Sequence, residues 1–93
     1  MGDYENAFKY ALRAVELSSK NYNAYENIGT ILAYQKKYDE SIQFYKKSLE
    51  INPEFYLALN NLGLVYNYIG DFNNSIYYWT AKSFLPKIPV TLI

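Results

Sequence analysis

Ninety-three residues hold at most one domain, and a chain this short buries only a modest core. Nine basic and nine acidic side chains cancel to zero net charge. That argues against nucleic acid, which needs a basic excess, and the apolar runs are too short to span a membrane. Neither cysteine nor histidine occurs, so disulfides, thiolate chemistry and the commonest general base and metal ligand are missing. The expectation is a non-catalytic protein without cofactor or metal. The opening Met1-Gly2-Asp3-Tyr4-Glu5 lacks the pattern of a secretory signal, and a cytoplasmic setting is expected.

Helical periodicity runs through most of the chain. The first predicted helix covers about residues 4–18, with Phe8, Leu12 and Val15 on one face. The second, about 22–36, carries Ala24, Tyr25, Ile28, Gly29, Ile31 and Leu32 at helical spacing, with Lys36 and Lys37 at its positive end. Asp39 and Glu40 open the third, about 39–51, and Asn52-Pro53 stops it because proline lacks the donor to continue. The fourth, about 56–69, closes at Gly70-Asp71, and the fifth spans about 73–84. Connections this short force successive helices to pack antiparallel. Residues 86–93 contain two prolines and alternate Ile88, Val90 and Leu92, as an extended apolar tail would.

The second and fourth helices are copies of one another. Ala24 recurs as Ala58, Asn27 as Asn61, Gly29 as Gly63 and Tyr34 as Tyr68, all 34 positions apart. Ser41 and Ser75, Ile42 and Ile76 extend the same register into the third and fifth helices, and Tyr4, Tyr38 and Phe72 extend it to the first. A period of this length means stacked helical units. A mid-helix glycine costs about 1 kcal/mol relative to alanine, so two at one register position imply close approach of a partner helix. Tyr45 and Trp79 are the aromatics expected to fill the space beside them.

These residues resemble the tetratricopeptide repeat. One repeat reads Tyr25-x2-Ile28-Gly29-x2-Leu32, then Ser41-x3-Tyr45, then Pro53. The next reads Leu59-x2-Leu62-Gly63-x2-Tyr66, then Ser75-x3-Trp79, and the first half-repeat supplies Ala7-x3-Ala11 with Ser19 where proline is expected. Lys82, Ser83 and Pro86 depart from the pattern, so the last turn of the fifth helix should be irregular or exposed. The resemblance implies an all-α fold: a short right-handed solenoid of about five antiparallel helices, two and a half repeats. Its parts are a half-repeat at 2–21, a full repeat at 22–55, a divergent repeat at 56–85 and the tail at 86–93.

The resemblance also implies a concave groove, lined by the first helix of each repeat, that holds a protein or peptide segment. The residues carried onto that groove are Glu26, Asn27, Thr30 and Tyr34, then Leu57, Asn60, Asn61, Leu64 and Tyr68. Asn27 and Asn61 offer both donors and an acceptor to a peptide backbone. Tyr34 and Tyr68 serve either as groove contacts or as packing between repeats, and Leu57 and Leu64 suit an apolar ligand side chain. One class of the family clamps a terminal carboxylate with lysine and asparagine. Glu26 and Leu64 stand at those positions here, which disfavours such a ligand.

Two further readings stay open. The first helix lacks the partner that would begin its repeat, so the chain is either a piece of a longer protein or a unit that self-associates through its terminal helices or tail. A scaffold assembled that way is the alternative to peptide binding, and a substrate-holding or regulatory part of a larger enzyme is the third.

Overall fold

The computed structural model describes residues 3–84. Five α-helices succeed one another: α1 (Tyr4–Leu17), α2 (Tyr22–Tyr34), α3 (Tyr38–Ile51), α4 (Tyr56–Tyr68) and α5 (Phe72–Phe84). The fold is all-α, and connections of three or four residues turn each helix back along its predecessor. The molecule measures 44 × 32 × 20 Å along its principal axes. α5 remains helical through Phe84, so the irregular last turn expected at Lys82 and Ser83 is not seen in the backbone. The side chains of Lys82 and Ser83 and the whole tail at 86–93 lie outside the described residues.

The helix ends have local causes. Asn21 caps α2, its Oδ1 accepting from the Ala24 amide at 3.0 Å. Asp71 does the same for α5 through the Asn74 amide at 3.3 Å. α2 and α4 both close by reversal into left-handed backbone, at Lys36 (φ 64°) and Gly70 (φ 86°). The amide after each bonds back five residues, Lys37 to the Leu32 carbonyl and Asp71 to that of Tyr66, both at 2.9 Å. The two lysines placed at the end of the second predicted helix therefore lie just past it and form the turn.

Within each pair, an aromatic ring lies on bare backbone. A Cβ added at Gly29 would sit 2.8 Å from the Tyr45 ring, and one at Gly63 2.5 Å from Trp79. The Ser41 hydroxyl donates to the Gly29 carbonyl at 2.6 Å, and that of Ser48 to the Tyr22 carbonyl at 2.8 Å, so α3 and α2 touch along their length. Between pairs the core contacts are apolar, with one hydrogen bond from Asn61 to Glu26 beside them. Ile42 and Tyr45 of α3 pack with Leu62, Val65 and Tyr66 of α4. Ala11 of α1 joins Ile28 and Leu32 of α2, with Phe8, Leu12 and Val15 against them. Parallel-stacked rings repeat at the same period: Tyr4 on Tyr34 at 5.8 Å between centroids, Tyr38 on Tyr68 at 6.2 Å.

Candidate concave recognition site

α2 and α4 hold equivalent places in successive repeats, so positions 34 apart fall on one side of the array. That side carries most of the residues the sequence assigns to a groove. Asn27, Tyr34, Leu57, Leu64 and Tyr68 are exposed; Thr30, Asn60 and Asn61 are half-buried; Glu26 is buried. Tyr34 and Tyr68 stack on the neighbouring repeat and stay about two-thirds exposed.

The residues divide between two hollows. One, about 490 Å³, lies between α1 and α2, where Asn27 and Thr30 face Ala7, Ala11 and Ala14. The other, about 420 Å³, lies between α2 and α4, and Thr30, Tyr34, Asn61, Leu64 and Tyr68 line it together with Lys36 and Tyr38. Leu57, Asn60 and Glu26 line neither. The indole of Trp79 donates to the Asn60 carbonyl at 3.2 Å, so that residue's backbone belongs to the packing of α4 on α5.

Below the second hollow runs a chain of polar contacts. Asn61 Nδ2 donates to Glu26 Oε2 at 2.7 Å, and Thr30 Oγ1 donates to the same oxygen at 3.0 Å. Thr30 Oγ1 is also 2.8 Å from the Tyr45 hydroxyl. Thr30 has one hydroxyl proton, and committing it to Glu26 makes Tyr45 the donor in that contact. Burial pushes the Tyr45 phenol up to about 12; the Thr30 hydrogen bond acts against this, and the Glu26 charge adds to it. The phenol is therefore neutral at ordinary pH and keeps its proton for Thr30. Asn61, assigned to a ligand's backbone, holds Glu26 of the preceding repeat with its amide nitrogen. Glu26, assigned to the open groove, sits 7 % exposed as the acceptor of two neutral donors from α2 and α4.

Sequence reasoning missed Tyr38, Tyr45 and Lys36 as parts of this site. The first two had a readable signal, since Tyr38 shares the register of Tyr4 and Tyr45 is the aromatic opposite Gly29. Among the described residues no three His, Cys, Asp or Glu side chains gather as metal ligands. No helix there is long and apolar enough to cross a membrane.

Comparison with known proteins agrees with this architecture. Family models described as tetratricopeptide repeat match residues 1–21, 22–55 and 44–82. No curated protein matches in sequence. Among solved structures, a crystal structure of MamA superposes with a TM-score of 0.87 over 95 % of this chain and 52 % of that one, at 23 % identity. A second crystal structure of MamA protein gives 0.78 over 85 % and 43 %, at 25 % identity. MamA AMB-1 gives 0.81 over 90 % and 50 %, at 19 % identity. The chain thus spans about half the length of the MamA chains it resembles, and the likeness is one of fold.

Proposed function

Because the chain belongs to the tetratricopeptide repeat family, a family of protein-interaction modules, we propose that it is non-catalytic and binds a peptide segment along the side formed by α2 and α4. The observation that carries this reading is the pocket between those helices, which puts Leu64 and two largely exposed tyrosines around one hollow. Rigid aromatics beside an aliphatic wall are the residue types that anchor protein partners. Asn27, exposed on α2, grips ligand backbone, while Leu57 and Leu64 meet apolar side chains.

The test is selection from a random peptide library, followed by titration of the selected peptides into wild type and Asn27→Ala/Leu64→Ala. Affinity should fall by about tenfold or more in the double variant with its melting temperature retained. Peptides that bind both proteins equally would remove this face as the binding site. The scaffold reading draws on a separate observation, the exposed Phe72 and Ile76 on α5. It requires sedimenting mass to rise with concentration.

A further inference from the structure

α3 and α5 hold the same place in successive repeats, but their surroundings differ. α3 touches α2 on one side, and on the other its Ile42 and Tyr45 lie against Leu62, Val65 and Tyr66 of α4. α5 has α4 on one side, and among the described residues no helix follows it. The register puts Ile76 where α3 has Ile42, and Phe72 where it has Tyr38. Ile76 and Phe72 are 61 % and 60 % exposed, and a spacing of four residues sets them on one side of α5. Two large apolar side chains thus stand open at a position that the preceding repeat covers.

The chain carries material to cover them. The segment that directly follows α5, Leu85 to Ile93, holds Leu85, Ile88, Val90, Leu92 and Ile93 with one charge, Lys87. Pro86 and Pro89 bar helix there and favour extended backbone. In extended backbone Ile88, Val90 and Leu92 fall on one side. Spacing then matches the open face. With a rise of about 1.5 Å per residue, Ile76 lies about 12 Å and Phe72 about 18 Å back from Phe84. At about 3.3 Å per residue, Val90 lies about 13 Å and Leu92 about 20 Å beyond Pro86.

We propose that residues 86–93 fold back across the open side of α5 as an extended strap, Val90 over Ile76 and Leu92 over Phe72. The tether decides the occupant. A second copy meets this face only at its own concentration, whereas an attached segment is present at an effective concentration on the order of millimolar. The contact is small, so its loss leaves the five helices in place. The strap is independent of the concave-face reading, because neither Phe72 nor Ile76 lines the hollow between α2 and α4. It takes the surface that assembly through α5 would need.

The test exploits the absence of cysteine, which lets Thr91→Cys carry a nitroxide at one known place in the full chain. Amide intensities of the isotope-labelled protein are compared with the nitroxide active and reduced. The strap should quench residues 72–77 more than residues 81–84, although the latter are nearer in sequence. Ile76→Lys, and separately Val90→Asp/Leu92→Asp, should move the strongest quenching to residues 81–84 while helix content is retained. Quenching strongest at residues 81–84 before either change, or a maximum at residues 72–77 that survives both, would overturn the strap. Mixing isotope-labelled protein with unlabelled, nitroxide-bearing protein identifies whose segment is bound. The strap leaves residues 72–77 unquenched in the mixture, and their quenching there would overturn it in favour of a second copy.

Discussion

Two serines at one register position separate packing from hydrogen bonding. Ser41 and Ser75 are both buried, but the first donates to the Gly29 carbonyl while the Ser75 hydroxyl has no hydrogen-bond partner among the described residues. Ser41→Ala should cost about 1 kcal/mol, the ordinary worth of a buried hydrogen bond. Ser75→Ala deletes an unsatisfied hydroxyl and should be neutral or stabilising by up to about 1 kcal/mol. Urea midpoints of the two variants check this, and equal losses would contradict it. Tyr45 gives a pH dependence. Above pH 10 an unfolded chain releases the phenol proton, while the folded chain holds it to about 12. The folded state therefore binds more protons in that window, and stability falls as pH rises through it, by an amount on the order of 2 kcal/mol at the top. Below pH 10 both states are protonated and this residue adds no slope. The burial-raised phenol of Tyr78 acts in the same direction. Tyr45→Phe should lose about 1 kcal/mol at neutral pH and show a shallower alkaline decline in its urea midpoint.

At the scale of elements, the turns after α2 and α4 do the same work with different residues. Gly70 enters left-handed backbone without penalty, whereas Lys36 carries a Cβ into it. Lys36→Gly should raise stability by about 0.5–1 kcal/mol, read as a higher thermal midpoint. The helices themselves were legible because their apolar positions follow one period and because Pro53 and Gly70 punctuate it. The boundary after α2 was less so, since two lysines read as a positive helix end and nothing in their chemistry announces a reversal. The glycine-and-aromatic pairing was legible too, from the cost of two glycines at matching places. The tie from Asn61 to Glu26 was not. Both residues could be assigned to one face by register, but whether each points to solvent or to its neighbour depends on the angle between repeats, which helical spacing does not encode. The same limit applies to Lys36, which reaches the pocket from a turn.

For the whole molecule, α5 differs from α3, its counterpart in the preceding repeat. Ile42 of α3 is 6 % exposed beneath α4, while Ile76, its counterpart on α5, is 61 % exposed, and Phe72 beside it is 60 % exposed. Ile76→Lys should therefore change stability by no more than about 0.5 kcal/mol, and Ile42→Lys, which buries an unpaired ammonium, should prevent stable folding. Thermal melts followed by circular dichroism compare the two. The matched tyrosine stacks, Tyr4 on Tyr34 and Tyr38 on Tyr68, mean that each junction is built to the same template. Such a chain grows by copying: a duplicate of residues 22–55, spliced in after Pro53-Glu54-Phe55, keeps the α3–α4 seam at its far end, and at the near one puts a copy of α2 where α4 stood, with its Tyr34 in register to stack on Tyr38 as Tyr68 does. Length is then free to change by gene duplication while every rung stays in place.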